Sequence, residues 1–201
     1  MTNILKKIKW WHFWTDFFTY EKAIKNKTVL EIGSGKSKIP GVITIDINSE
    51  VKPNIVHDLN QFPWPINDKE YDTILMFSII EHLAEPIKVL EECHRILKPS
   101  GRIYLITPHF SDSASYVDPT HKWHFSARSF DYFIKGSQLE ESYGLYTNIR
   151  FTLIKRFISL RGIYDKIPGI QRLVNNNFEL WEDYFCYILR GAGIYIELEK
   201  K

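Results

Sequence analysis

Short apolar runs separated by turn-forming residues recur along the chain, which is the pattern of buried β-strands. The seven runs cover residues 28–33, 42–47, 55–59, 72–77, 102–107, 149–160 and 194–198. The run at 72–77 is apolar almost throughout, as in a parallel strand that is buried on both faces. The last run alternates apolar and polar residues, as a half-buried strand does.

Four further segments carry apolar residues at helical spacing. They are residues 3–20, 86–97, 126–135 and 177–190. Pro99 and Gly101 end the second of these helices, and Ser126 is the predicted N-cap of the third. The order of strands and helices predicts an α/β protein. We expect residues 1–201 to form a single domain, with an aromatic helix within 1–22 and a helical insert at 161–191 before the last strand.

The connections between the first four strands are too short for ordinary crossover helices. Eight residues, 34–41, separate the first two strands, and Pro40 would interrupt a helix there. The next two connections lack helical periodicity. Because a bare parallel sheet is unstable in water, we expect the aromatic helix at 3–20 and the insert helix at 177–190 to cover the exposed face.

Composition excludes several classes of protein. A chain of 201 residues with a net charge of +2 has no general field for DNA or RNA, so we expect no nucleic-acid partner. Its two cysteines, Cys93 and Cys186, form no CxxC pair, which indicates a reducing, cytoplasmic compartment. The sequence has no apolar run of about 18 residues, so neither a spanning helix nor a signal peptide is expected.

The segment 29–35 (VLEIGSG) reads as a strand followed by a glycine turn, and the strand after it ends in Asp46. This arrangement predicts a nucleoside pocket at the ends of the strands. A dinucleotide pattern requires a third glycine where this chain has Lys38. The order acid, any residue, Gly, any residue, Gly (Glu31, Gly33, Gly35) resembles the first motif of the class I S-adenosylmethionine-dependent methyltransferases, with Ser37 in place of the last glycine.

The resemblance implies a Rossmann-like, mostly parallel, seven-stranded sheet with an antiparallel last strand, and S-adenosylmethionine as cofactor. It implies that Asp46 holds the ribose and Asp58 the adenine amino group; a solvated turn acid and a turn cap are the respective alternatives. The residues that it places against the cofactor are Glu31, Gly33, Ser34, Gly35, Asp46, Ile47, Asp58, Leu59, Phe77, Ser78 and Ile79.

Histidines gather after the fourth and fifth strands, at the edge of the sheet where substrates bind. His82, His109 and His121 are candidate general bases that would take a proton from an acceptor hydroxyl. A divalent ion held by His109, Asp118, His121 and His124 is an alternative, and a structural role is another. The sequence alone assigns no metal ligand.

These residues predict methyl transfer to a hydroxyl group of a sugar or another small molecule. The histidine segment, together with residues 130–133 and 180–182, resembles a branch of small methyltransferases associated with glycan biosynthesis. The competing interpretations are a nucleotide-dependent oxidoreductase or epimerase, and a non-catalytic module that binds S-adenosylmethionine. Further expectations are a homodimer and, as an alternative to covering the sheet, weak contact of the lysine-containing N-terminal helix with a membrane surface.

Overall fold

A computed structural model describes residues 23–36 and 38–201. Seven strands of this part of the chain form one sheet in the order β3-β2-β1-β4-β5-β7-β6. They are β1 (Val29–Ile32), β2 (Ile43–Asp46), β3 (Ile55–Val56), β4 (Tyr71–Phe77), β5 (Leu97–Pro108), β6 (Phe151–Leu160) and β7 (Gly191–Lys200). β7 runs antiparallel to both of its neighbours, and the remaining pairs are parallel. The predicted fold, including the antiparallel last strand, is confirmed.

The helices are short. The α-helices are α1 (Pro86–Ile96), α2 (Ala114–Val117), α3 (Gln138–Tyr143), α4 (Ile170–Asn176) and α5 (Phe178–Tyr184). Single turns of 3-10 helix lie at Ser49–Val51, Ile80–His82, Gly144–Tyr146 and Gly162–Lys166, and a longer one at Ala127–Phe133. Ser126 caps this last helix as predicted, because its hydroxyl accepts the amide hydrogen of Arg128. Across the described ranges, every helix is too short or too polar to cross a bilayer.

Within residues 23–36 and 38–201, the connections between the first four strands lack ordinary crossover helices, as the sequence predicts. Among the described residues, the connections from β1 to β4 contain the 3-10 turn Ser49–Val51 and no α-helix. The third strand is also shorter than the predicted 55–59, because the chain turns away after Val56 and Asp58 begins a new turn. Because β1 lies between β2 and β4 and is parallel to both, the carboxyl ends of these three strands lie side by side at one edge of the sheet.

Side chains of the strands alternate between two apolar clusters, one on each face of the sheet. The first face carries Leu30, Ile74 and Leu105, and it is covered by α1 and by the helix at Ala127–Phe133. The second face carries Val29, Leu75, Tyr104 and Tyr195. In the described part of the chain, the members of this second cluster outside the strands are Ala23, Ile24, Ile39 and Val42.

One expectation about these faces is wrong. The insert was predicted to cover the face that lacks crossover helices, yet its buried residues Trp181 and Cys186 belong to the first cluster. The cause is local, since the Trp181 ring packs on His109 at the end of β5. The predicted aromatic helix at 3–20 lies outside the described residues.

Candidate functional site

The glycine turn after β1 and the end of β2 are joined through one carboxylate. Gly33 and Gly35 have positive φ angles of 65° and 55°, which glycine adopts without steric cost. The Gly35 amide donates to Asp46 Oδ2 and the Asn48 amide donates to Asp46 Oδ1, both at 2.9 Å. Each carboxylate oxygen keeps a further lone pair, so Asp46 is positioned to accept hydrogen bonds from a ligand as well.

The segment after β4 lies directly against this turn. A Cβ atom placed on Gly33 would lie 2.6 Å from Ile79 Cγ1, so the turn and the segment touch only because residue 33 is glycine. Ser78 turns the chain here with a φ of 50°. On the other side of Asp46, the Ile47 side chain is 64% exposed. The structure thus brings Gly33, Asp46 and Ile79 together, with an apolar side chain beside them.

Two polar groups lie beneath the turn. Glu31 is 4% exposed, and its Oε2 accepts a long hydrogen bond from the Ile39 amide at 3.4 Å. The Ser34 hydroxyl is buried and has no hydrogen-bond partner among the residues that the structure describes. A buried hydroxyl without a partner is costly, and a bound ligand would relieve that cost.

Asp58 and Leu59, the predicted adenine contacts, interact with other parts of the chain in the structure. Asp58 Oδ1 accepts hydrogen bonds from the backbone and side-chain nitrogens of Asn60, both at 2.9 Å, and these bonds lower the pKa of Asp58. Asp58 Oδ1 therefore caps a turn, while these two bonds leave Oδ2 unused. The Leu59 side chain is buried in the first cluster. A contact of either residue with adenine stays a prediction.

His109 is part of the core rather than of an open site. Its ring is 0% exposed and lies between Phe110 and Trp181. Its Nδ1 accepts from the Ser111 amide at 3.1 Å, and its Nε2 donates to Glu182 Oε1 at 3.0 Å. Both ring nitrogens are thus occupied away from solvent, and the prediction of a base at His109 is replaced by a structural role.

Glu182 is the partner that the sequence did not reveal. Burial alone would raise the pKa of Glu182, but hydrogen bonds from His109, Ser126 and Ala127 outweigh it and lower the pKa. The carboxylate therefore ties α5 to the end of β5 and to the start of the helix at Ala127–Phe133. The available signal was the position of Glu182 beside the apolar face of the predicted helix at 177–190. Its partners lie 54 or more residues away in sequence, so the sequence does not identify them.

The other two predicted bases lie together, with an unpredicted acid. One ligand atom each from Glu81, His82 and His121 lies within 4.8 Å of the other two. The two imidazole rings meet edge to face, with their centroids 4.5 Å apart. Glu81 follows β4, and its Oε2 accepts from Thr107 Oγ1 of β5 at 3.0 Å. The group therefore lies between the ends of two neighbouring central strands.

Burial dominates the electrostatics of this group. Glu81 is 1% exposed, and burial raises the pKa of its carboxyl group. Burial likewise lowers the pKa of His82. Glu81 Oε1 has no hydrogen-bond partner within residues 23–36 and 38–201.

The metal-ligand set considered from the sequence is not assembled. His109 is bound to Glu182, and His124 contacts Ser115 Oγ and stacks on Tyr116. Asp118 accepts from the Thr120 hydroxyl at 2.6 Å. Of that set, His121 alone joins a group of candidate ligands in the described residues.

Comparisons with known proteins agree with this architecture. The model of a family described as a methyltransferase domain matches residues 9–141. A solved structure of an S-adenosylmethionine-dependent methyltransferase from Archaeoglobus fulgidus superposes with a TM-score of 0.61 over all of both chains at 21% identity, which shows a shared fold.

Two curated relatives match over short segments. The ubiquinone biosynthesis O-methyltransferase of Pseudomonas paraeruginosa is 34% identical over 38 residues, 19% of this chain and 16% of the relative. The tRNA U34 carboxymethyltransferase of Campylobacter curvus is 36% identical over 62 residues, 30% of this chain and 21% of the relative. The matched part of the chain thus spans only about a fifth of the length of these relatives, or less.

Proposed function

We propose, from the premise that this chain belongs to the family of methyltransferase domains, that it methylates a hydroxyl oxygen of a small molecule or glycan. S-adenosylmethionine is the cofactor that the family implies. When bound, it supplies a methyl group on a sulfonium that a nucleophilic oxygen can attack. The observation that carries the proposal is the meeting of an acid-flanked glycine turn with a histidine-rich group at one edge of the sheet.

The residues at the turn suit this cofactor. Asp46 has lone pairs for ribose hydroxyls, and Ile47 and Ile79 offer apolar surface beside it. Glu31 supplies negative charge for the cationic amino-acid end, and the buried Ser34 hydroxyl, which has no partner among residues 23–36 and 38–201, can bond to a ligand. The Glu31 carboxylate beneath the turn would instead disfavour a pyrophosphate at that position.

The acceptor side is formed by the segments after β4 and β5. His82 and His121 lie there, and imidazole is suited to accept a hydroxyl proton near neutral pH. Trp123, which follows His121 in the same segment, also lines a cavity of about 310 Å³ together with Tyr132 and Tyr146, although Glu81, His82 and His121 are not part of its walls. Aromatic walls of this kind can stack on a sugar or ring-shaped acceptor, and the match to an O-methyltransferase favours a hydroxyl group.

Alignment supplies most of the rate in such a displacement. In this proposal the chain holds the methyl donor through the turn and the acceptor through the aromatic cavity. It also moves one proton away from the hydroxyl oxygen. We keep the predicted absence of a nucleic-acid acceptor because the net charge is only +2. A cytoplasmic location, a homodimer and weak membrane contact remain proposals.

Calorimetry with S-adenosylmethionine, S-adenosylhomocysteine and NAD tests the cofactor. We expect saturable binding of both adenosyl compounds and none of NAD. Binding of NAD alone would favour the oxidoreductase or epimerase. Methyl-labelled S-adenosylmethionine with a panel of phenols, sugars and glycan intermediates then tests the acceptor. Cofactor binding without transfer to any of them would favour the non-catalytic module.

A further inference from the structure

The hydrogen bonds around His82 and His121 orient both rings in the same way. Thr120 Oγ1 donates to Asp118 Oδ1 at 2.6 Å, so the contact of 2.8 Å between His82 Nδ1 and Thr120 Oγ1 requires the ring nitrogen to donate. The Nδ1 of His121 lies 3.0 Å from the Ser115 carbonyl oxygen, which can only accept. Both imidazoles in their neutral form therefore carry the hydrogen on Nδ1 and a lone pair on Nε2.

The carboxylate of Glu81, the third member of the group, is also oriented by a hydrogen bond. Thr107 donates to Glu81 Oε2 and fixes the carboxylate, while the buried Oε1 has no hydrogen-bond partner in the described ranges. A nearly inaccessible carboxylate oxygen without a partner is costly, and a cation would compensate it. Three lone-pair donors, each held by an outer hydrogen bond, are the usual surroundings of a metal ion.

We propose that Glu81, His82 and His121 bind a divalent transition-metal ion such as Zn²⁺. Two imidazoles and one carboxylate form a ligand set that suits such ions, and three protein ligands leave coordination positions open. The outer hydrogen bonds come from Thr107, Thr120 and Ser115. This part of the inference is independent of what the chain methylates.

A second part rests on the proposed function. Three protein ligands would leave a coordination position that an acceptor hydroxyl oxygen could occupy. A cation there lowers the pKa of the hydroxyl, so its proton passes to water. The oxygen lone pair then forms the new C–O bond, and the electron pair of the broken S–C bond stays on sulfur. The ion thus takes the role otherwise assigned to a free imidazole.

Titration of metal-free, full-length protein with Zn²⁺ and Co²⁺ tests the site, with calorimetry for affinity and visible absorption of Co²⁺ for coordination. We expect one equivalent to bind. His121→Ala and Glu81→Gln should each weaken binding by at least about a hundredfold, since even outer-sphere changes cost 10–100-fold. Thr120→Val should weaken it by about tenfold, because His82 loses the oxygen that orients it. Far-UV circular dichroism checks that each variant folds.

His124→Ala is the matched control, because His124 belongs to the same segment and lies outside the group. It should bind the ion like the parent protein. No saturable binding, binding that persists in His121→Ala, or equal loss in His124→Ala would each overturn the site. The parent protein is also titrated with S-adenosylmethionine. If it binds the metal ion but not the cofactor, the proposed function alone is refuted, and if it binds the cofactor but not the metal ion, this inference alone is refuted.

Discussion

Asp46 is the residue on which the cofactor edge depends most. Its two carboxylate oxygens hold the Gly35 and Asn48 amides and keep lone pairs for a ligand. We expect Asp46→Ala to weaken S-adenosylmethionine binding by about 10–100-fold, because hydrogen bonds to a charged group contribute about 1.5–3 kcal/mol. Calorimetry measures the loss. Glu50→Ala removes an exposed carboxylate from the same connection and should leave affinity unchanged; unaltered binding by Asp46→Ala would refute the ribose assignment.

Gly33 allows the segment after β4 to contact the turn. In Gly33→Ala the new methyl group would meet Ile79 Cγ1 at 2.6 Å and would also impose a left-handed backbone on alanine. We expect a loss of about 1–3 kcal/mol in the free energy of unfolding and weaker cofactor binding. Urea unfolding and calorimetry measure the two effects.

Gly35 provides the comparison for this prediction. It has a similar positive φ, but a Cβ atom there would meet no atom of the described residues within 4 Å. Gly35→Ala therefore carries the backbone cost without the clash, and it should destabilise less than Gly33→Ala. Adding Ile79→Ala to Gly33→Ala should restore part of the stability. If the two glycine variants are equally destabilised, close packing against Ile79 is not what residue 33 provides.

Sequence reasoning succeeded at the residue scale where a motif is local. Glu31, Gly33, Gly35 and Asp46 lie within two strand ends, so the order of residues already places them together. It was wrong at His109, because nothing in the polar segment around this histidine indicates a hydrogen bond to Glu182, 73 residues later in the chain. His82 and His121 were each candidates, but their pairing with Glu81 depends on how two segments fold back.

At the scale of elements, α5 is fastened by one buried carboxylate. Glu182 accepts from His109, Ser126 and Ala127, which belong to two other parts of the fold. Arg128 Nε also donates to this carboxylate, so Glu182→Ala leaves four donors without their acceptor, and we expect it to lower the free energy of unfolding by about 2–4 kcal/mol. Urea unfolding measures this. Glu179→Ala, an exposed change one turn earlier on the same helix, should have little effect, and a similar loss in both variants would contradict the role of Glu182.

The contribution of Glu182 to the free energy of unfolding decreases in acid. The pKa of Glu182 is lower in the folded protein, because hydrogen bonds from His109, Ser126 and Ala127 outweigh the effect of burial. Its stabilisation is therefore complete above the unfolded pKa of about 4.5 and is lost as pH falls through the folded value. We expect the stability gap between the parent protein and Glu182→Gln to narrow below about pH 4.5. A gap that widens in acid would refute this assignment.

The apolar strands and the longest helix were predictable, and the short helices were not. β4 and α1 lie within a residue or so of their predicted bounds. The predicted helix at 177–190 shrinks to Phe178–Tyr184, α4 falls within the predicted helical insert at 161–191 without predicted bounds of its own, and α3 was not predicted. These helices are six or seven residues long, so tertiary contacts rather than helical period decide where they begin and end.

At the scale of the whole molecule, the covering of the second face of the sheet has the largest expected effect on the free energy of unfolding. Leu75 and Tyr195 are fully buried on it, although the crossovers from β1 to β4 supply no α-helix in the described ranges. The sequence predicts that residues 3–20 cover this face. Since burying one large apolar side chain contributes about 1.5–3 kcal/mol, deleting residues 1–22 should cost on the order of several kcal/mol and expose a surface that binds hydrophobic dyes.

The same deletion separates the two interpretations of the N-terminal segment. If it covers the sheet, urea unfolding and dye binding change while affinity for anionic vesicles stays low in both forms. If it binds membranes, stability is retained and vesicle affinity falls. Replacing Lys6, Lys7 and Lys9 by Gln is the matched control, because it removes the charge that favours a membrane and leaves the apolar spacing intact. This variant should be as stable as the parent protein, and unchanged stability of the deletion would overturn the covering role.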